Sequence, residues 1–155
     1  MTEKIDNIQT LIKINVEANE GYRTAASCVN DGLLSTFLNN NAIKRKEFAA
    51  KLMEKAKLKE VKSGLSSDLH KVWMEIKSAP KKFNGKAVLE ECEKGEKHAL
   101  KEYDKVLSGK DFPKDLADIL EIQKREIKSN LEEISSLKKE QKEEDANRNR
   151  ETPVP

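Results

Sequence analysis

The chain has 155 residues, of which 36% are hydrophobic, 5% aromatic and 37% charged, and 30 basic and 28 acidic residues give a net charge of +2. This length predicts a single domain, and this composition is typical of amphipathic helices with a narrow buried face. The interleaved charges argue against a one-sided field that would attract nucleic acid or an anionic membrane. No stretch is apolar enough to serve as a secretory signal or a membrane span, so we expect a soluble cytoplasmic protein.

Two long helices are predicted in the first part of the chain. The first extends from about Thr2, which can act as an N-cap, to about Val29. A strong breaker follows at residues 30–32, within which Asp31 can cap a second helix that extends to about Lys59. Because the link between them is so short, the two helices should pack antiparallel.

The next segment, residues 61–85, contains several glycine, proline and serine breakers around one short predicted helix, Asp68 to Ser78. A link of about 25 residues that includes three turns of helix can traverse the length of a bundle. We therefore expect this segment to be a long crossover rather than a tight turn.

Two further long helices are predicted after the crossover. The third begins after Asn84 and ends near Gly109, which can act as a C-terminal cap. The fourth begins around Pro113, where a missing N–H costs nothing, and extends to about Lys142. Residues 143–155 have no apolar periodicity and are expected to be a disordered tail.

The order of connections predicts the fold class. A short link, a long crossover and a second short link describe an all-α, ferritin-like four-helix bundle of two antiparallel pairs, here over residues 1–142. A cytokine-type bundle would need two long connections, and an up-and-down bundle would need none. No segment shows the alternation of a strand, and no fixed-period repeat indicates a solenoid.

Polar residues interrupt each of the four apolar stripes near its middle. The helix midpoints fall near residues 15, 46, 97 and 127, so the interruptions should share one layer across the bundle. The residues expected in this polar core cluster are Asn15, Asn41, Arg45, Glu96, Gln123 and Asn130.

A di-metal site at this layer would need one glutamate from each of two helices and a Glu-x-x-His from each of the other two. The sequence contains no Glu-x-x-His, since Ser67 and Gly95 stand three residues before the two histidines. Arg45 is a fixed cation that would repel a divalent ion. We therefore expect no metal, no cofactor and no enzymatic activity. The alternative is a divalent-metal binding or oxidase protein that uses Glu96 with neighbouring acids; the candidates are Glu17, Glu20 and Glu93.

Arg45 and Glu96 are the only base and the only acid on the predicted stripes. A buried charge alone is expensive, so we hypothesise that the two pair and that the surrounding amides take their remaining hydrogen bonds. Such a cluster would determine helix register more than it would add stability. In the alternative, Arg45 extends outward to solvent and Glu96 lies at a wet helix edge.

Two other features have a functional and a structural interpretation. His70 and Trp73 on the crossover helix could form a ligand or partner patch, but docking of that helix onto the bundle is the simpler interpretation. Cys28 and Cys92 lie on apolar stripes, and we expect both to be buried and reduced.

Several segments together resemble a bacterial ferritin-like family of unknown function, a four-helix-bundle domain, over about residues 5 to 140. The segments are EGYRTAA (20–26), FLNNNAIKRKEFAAKL (37–52), LHKVWMEIKSA (69–79) and AVLEECEKGEKHALKEYDKVL (87–107). The last of these is also similar to the rubrerythrin pattern in which Gly-Glu precedes a tyrosine, and there Glu96 would be the counterpart of a metal ligand. The other ligand positions carry Asn15, Ala42, Arg45, Ile127 and Asn130 instead.

The resemblance implies the fold, a cytoplasmic location and a stress-related or accessory role, and it does not imply iron chemistry. We therefore expect a non-enzymatic bundle that acts through an unknown protein partner or as a homo-oligomer. A membrane-surface or stress-adaptor helix protein is a third interpretation.

Overall fold

A computed structural model of the chain describes residues 2–58, 85–108 and 112–151. These residues form four helices and no strand, which confirms the all-α prediction: α1 (Thr2–Cys28), α2 (Gly32–Ala56), α3 (Gly85–Leu107) and α4 (Lys114–Glu151). Within these ranges no helix combines the length and the apolar character that a membrane span requires. The predicted short helix from Asp68 to Ser78 lies outside the described residues.

α1 and α2 form an antiparallel pair. The Asp31 side chain caps α2, because its Oδ1 accepts hydrogen bonds from the backbone N–H groups of Leu33 (2.9 Å) and Leu34 (3.3 Å). Near the link, Ser35 Oγ donates to the carbonyl of Ala26 over 3.1 Å. Further along, Asn19 Nδ2 on α1 donates to the carbonyl of Ala42 on α2 over 2.7 Å. Farther from the link, earlier residues of α1 thus contact later residues of α2, as they do in an antiparallel pair.

α2 ends at Ala56, three residues before the predicted end near Lys59. The cause is a left-handed residue, Lys57, with φ of 57°. The N–H of Lys57 donates to the carbonyl of Glu54 over 3.2 Å, and the N–H of Leu58 donates to that of Met53 over 2.9 Å. This pair of bonds is a Schellman motif, which satisfies the last carbonyls and stops the helix without a glycine.

α3 and α4 form the second antiparallel pair. Ser135 Oγ on α4 donates to Glu93 on α3 over 3.0 Å, and Lys124 Nζ lies 2.5 Å from Asp104. The carbonyl of Pro113 accepts a hydrogen bond from the N–H of Ala117 over 2.9 Å, so the proline directly precedes the first turn of α4. At this position its missing N–H costs no hydrogen bond, because the first N–H groups of a helix have no partner within the helix.

α4 continues to Glu151, well beyond the end predicted near Lys142. Residues 143–151 thus belong to the helix, where the sequence predicted a disordered tail. The segment has no apolar stripe, but six of its nine residues are glutamate, arginine or alanine, and it contains no glycine or proline. High helix propensity can extend an existing helix without a buried face, because each added residue completes another backbone hydrogen bond.

The helices form a ring in which α1 contacts α2 and α3, and α4 contacts α2 and α3. A Cβ atom on Gly85, the first residue of α3, would lie 3.0 Å from Leu34 at the start of α2. The start of α3 is therefore beside the start of α2, and the end of α2 is at the opposite end of the bundle. The connection between them, residues 59–84, lies outside the described residues, so the long crossover stays a prediction.

The apolar core is divided into two clusters. One cluster is built around residues of the first half of α1 and the second half of α2: Ile8, Leu11, Ile12, Phe48, Leu52, Tyr103, Val106, Leu120 and Ile127. The other is built around the second half of α1 and the first half of α2: Ala18, Tyr22, Ala26, Leu34, Leu38, Val88, Leu89, Cys92 and Ile134. Of the buried polar residues, Asn15, Arg45 and Glu96 lie between these clusters along their helices, whereas Gln123 lies among residues of the first cluster.

Neither cysteine forms a disulfide. Cys92 is buried in the second apolar cluster, as expected. Cys28 is only half-buried, because it is the last residue of α1, where fewer neighbouring helices surround the chain.

Candidate functional site

The polar interruptions of the four helices meet at the middle of the bundle. Asn15, Arg45, Glu96 and Gln123 come from four different helices, and each is at most 3% exposed. Apolar side chains of both core clusters surround this layer. The layer is the largest departure from an apolar interior in the described part of the chain, so it is the first place to look for a function.

An ion pair crosses the centre of the layer. Arg45 on α2 donates through Nη1 to Glu96 Oε1 on α3, which lies diagonally across the bundle. Arg45 also donates through Nε to Asn15 Oδ1 on α1, over 2.6 Å. The guanidinium therefore links three of the four helices, and it does not extend to solvent.

The Glu96 carboxylate also has partners on the other two helices. Asn130 Nδ2 on α4 donates to Glu96 Oε2 over 3.2 Å, and it lies equally far from the hydroxyl of Tyr22 on α1. The Tyr22 hydroxyl also forms a hydrogen bond with Glu96. Glu96 is consequently the point at which all four helices meet.

A second chain of hydrogen bonds starts at Asn15 and ends at the backbone of α2. Asn15 Nδ2 donates to the Tyr103 hydroxyl over 2.8 Å, and that hydroxyl donates to Gln123 Oε1 over 2.7 Å. Gln123 Nε2 then donates to the carbonyl of Phe48 over 3.3 Å. Gln123 thus reaches the ion pair only through Tyr103 and Asn15, and it makes no direct bond to either charge.

The residues of these two chains of hydrogen bonds have the same spacing along three of the helices. Seven residues separate Asn15 from Tyr22, Glu96 from Tyr103, and Gln123 from Asn130. Seven residues are close to two helical turns, so each pair faces the same side of its helix at two levels about 10 Å apart. Arg45 on the fourth helix joins the two levels.

Asn41, which was expected in the cluster, lies outside it. Its Nδ2 donates to the carbonyl of Phe37 on its own helix over 3.0 Å. Asn41 precedes Arg45 by one turn, or about 6 Å along α2, and its side chain is too short to cover that distance. An asparagine that bonds back to its own helix is satisfied locally, and it need not join a tertiary network.

Two members of the network were missed in the sequence. Tyr22 and Tyr103 lie among the apolar residues of α1 and α3, and both are fully buried. A buried tyrosine hydroxyl nearly always has a hydrogen-bond partner. The seven-residue spacing of both tyrosines from polar core residues was the available signal.

Burial and the nearby carboxylate keep the hydroxyls and the thiol of this region protonated. Burial, reinforced by Glu96, raises the pKa of Tyr22 well above its ordinary value. Burial likewise raises the pKa of Tyr103 to about 12, although Arg45 and Asn15 act in the opposite direction. Burial and then Glu96 raise the pKa of the Cys92 thiol. These groups are thus donors at neutral pH, and no thiolate nucleophile forms here.

One donor of the cluster has no partner among the described residues. It is Nη2 of Arg45, which is buried with the rest of its side chain. An unpaired buried donor reduces stability by about 1–3 kcal/mol. The ion pair is therefore weak evidence for a net gain in stability, and its role in helix register stays a prediction.

The acids named for a metal site do not gather around Glu96. Glu20 is exposed on α1, and Glu93 binds Ser135 and Lys138 on α4, with its Oε1 3.2 Å from Lys138 Nζ. Glu17 is buried, which the single apolar stripe of α1 did not predict. In the described ranges, no three His, Cys, Asp or Glu side chains are close enough together to hold a metal ion. His70 and Trp73 lie outside these ranges.

Comparisons with known proteins give one match. A family model described as a domain of unknown function, DUF2383, matches residues 3–109. This match covers α1, α2, α3 and the connection between α2 and α3. No curated protein and no solved structure matches the chain significantly.

Proposed function

Since this chain belongs to the family described as a domain of unknown function, DUF2383, we propose its function from the geometry of the bundle. It is a non-enzymatic, ferritin-like helical bundle with a metal-free polar core, and it acts by binding another protein. One observation supports this most strongly: the Arg45–Glu96 ion pair occupies the middle of the bundle.

The order of the helices supports the ferritin-like relationship. Two antiparallel pairs are joined so that the end of α2 and the start of α3 are at opposite ends. A single long connection of this kind distinguishes ferritin-like bundles from up-and-down and cytokine-type bundles. In ferritin-like di-iron proteins, glutamates and histidines project into the centre that Arg45 and Glu96 occupy here.

The charge of Arg45 argues against the alternative of a divalent-metal protein. A guanidinium stays protonated at every accessible pH, so its positive charge cannot be released to admit a cation. Its Nη1 already donates a hydrogen bond to Oε1 of Glu96, and Asn130 donates one to Oε2. A metal ion at Glu96 would have to displace both.

The buried state of the cluster supports a function that is carried out through the surface. Every charged group at the centre is at most 3% exposed, so none can meet a substrate without opening of the bundle. Two cysteines that form no disulfide are consistent with a reducing, cytoplasmic location, and a stress-related or accessory role is the one that the family resemblance implies.

Elemental analysis tests the proposal directly. The protein is produced with iron, manganese or zinc added to the medium, dialysed and measured by plasma mass spectrometry. We expect less than about a tenth of a metal ion per chain, for the wild type and for an Arg45→Lys variant that keeps the charge. One or two ions per chain in the wild type would overturn the proposal in favour of the metal-protein alternative.

A further inference from the structure

Two apolar grooves open along the same side of the bundle, between α2 and α4. The first has a volume of about 290 Å³ and lies near the start of α2. Its apolar lining consists of Leu33, Leu34, Phe37, Leu89 and Leu137. The second, of about 280 Å³, lies further along the same two helices, with Phe48, Ile119 and Ile122 in its lining. We call this side the α2–α4 face.

The two grooves exist because α2 and α4 approach each other less closely than α1 and α2 do. Large apolar side chains remain open to solvent here: Leu33 is 86% exposed and Ile122 is 52% exposed. Exposed apolar side chains beside a groove are typical of a protein-binding surface. Each groove has room for one or two side chains of leucine size.

The charged residues that line the grooves are mainly acidic. The first groove is bordered by Asp31, Glu133 and Glu140, and no basic residue lines it. The second is bordered by Glu47, Glu126 and a single base, Lys51. The chain as a whole has slightly more bases than acids, so an acidic border is a local property of the α2–α4 face.

On the basis of the proposed protein-binding function, we infer that the α2–α4 face is the docking site for one basic amphipathic helix of a partner protein. Its apolar side chains enter the two grooves, and its lysines or arginines face the acidic borders. A helix that lies along two others in this way is a common mode of peptide recognition.

The distance between the grooves specifies the length of the ligand. Leu34 and Phe48 on α2 are 14 residues apart, as are Leu137 and Gln123 on α4. At 1.5 Å per residue, the grooves are about 21 Å apart along the bundle. A ligand helix therefore needs about 15 residues or more, with apolar side chains at i, i+4, i+7, i+11 and i+14.

Charge also argues against a second copy of this chain as the occupant. In a two-fold dimer the same surface meets itself, so acidic borders would face each other around both grooves. Like charges brought together at an interface disfavour the pairing. A basic helix is complementary to the same borders, which is why we assign the face to a different partner.

A designed peptide tests the inference with the full chain. The probe is an 18-residue, fluorescein-labelled helix with leucines at the five positions above and lysines concentrated in its last two turns, where they also complement its own dipole. Its control has the same composition in an order that destroys the apolar stripe. We expect saturable binding in fluorescence anisotropy, at least tenfold tighter for the probe than for the control, and weaker in high salt.

Matched protein variants locate the binding. The first double variant, Glu133→Lys with Glu140→Lys, reverses two charges at the border of the first groove. The control, Glu121→Lys with Glu132→Lys, makes the same charge change at exposed positions of α4 that line neither groove. We expect the first pair to weaken binding at least tenfold and the second pair less than threefold. Leu33→Ser, at a position too exposed to affect folding, should weaken it at least threefold.

Three results would overturn the docking site. They are equal binding of the probe and its control, equal effects of the two charge pairs, and a wild-type dimer in light scattering that Ile122→Lys dissociates. The last result would assign the face to a second copy. None of them implies a metal in the core, so elemental analysis still tests the proposed function separately.

Discussion

Arg45 and Glu96 form an ion pair between diagonally opposed helices, and both side chains are 3% exposed. The residues around the pair come from all four helices and connect it to two buried tyrosines. Because each charge is removed from water, each depends on the other and on these amides for its solvation. Several consequences can be measured.

Removal of one charge should destabilise the bundle strongly. We expect Arg45→Met to lower the free energy of unfolding by about 3 kcal/mol, because it leaves the Glu96 carboxylate buried without its counter-ion. For a chain of this size, that corresponds to a fall in melting temperature of about 6–12 °C. Arg125→Met, at an exposed position of α4, is the control and should stay within about 0.5 kcal/mol of the wild type.

The coupling between the two charges can be measured by urea denaturation. The variants are Arg45→Met, Glu96→Leu and the double variant that combines them. The double variant should cost less than the sum of the single ones, because no charge is left without its partner. An unchanged or higher melting temperature for Arg45→Met would contradict a buried pair.

The hydroxyl of Tyr103 should contribute on its own. Tyr103→Phe keeps the ring but leaves Gln123 Oε1 without its donor, which we expect to cost about 2 kcal/mol. Adding Gln123→Leu should recover part of this loss, since no buried acceptor then remains unpaired. A single variant as stable as the wild type in urea denaturation would show that water replaces the hydroxyl.

Alkaline pH should unfold the protein through its two tyrosines. Burial raises the pKa of Tyr103 from an ordinary value of 10.0 to about 12, and it raises that of Tyr22 as well. A raised pKa means that the unfolded state loses its protons first, so this stability is complete below pH 10 and is lost as the pH rises towards 12. Phenolate absorbance at 295 nm should therefore appear together with the loss of helical circular dichroism. Gradual ionisation of both tyrosines near pH 10 in the folded state would contradict their burial.

The two cysteines should differ in reactivity. Cys92 is fully buried and its pKa is raised by burial, whereas Cys28 is half-buried at the end of α1. We expect one thiol to react with Ellman's reagent within minutes in the native protein and two in guanidinium chloride. Cys28→Ser should abolish the fast reaction. If Cys28→Ser left the fast reaction intact, Cys92 would be accessible through opening of the bundle.

Much of the fold was predictable because its signals are local. The breaker at residues 30–32 and the cap at Asp31 are properties of a few neighbouring residues, and the structure begins α2 where they indicate. The end of α2 was misjudged because a left-handed lysine is uncommon, and nothing beside Lys57 announces it. α4 was predicted too short because only its apolar stripe was followed, while helix propensity continues to Glu151.

The sequence by itself determined four amphipathic helices, their order and the polar level that crosses them, since periodicity and spacing belong to each helix separately. Only the tertiary structure decided which polar groups touch. Arg45 reaches Glu96 and Asn15, Tyr103 connects Asn15 to Gln123, and Asn41 bonds to its own helix. Those choices depend on rotations of the helices by a fraction of a turn and on differences of a few ångströms in side-chain reach, which no single helix specifies.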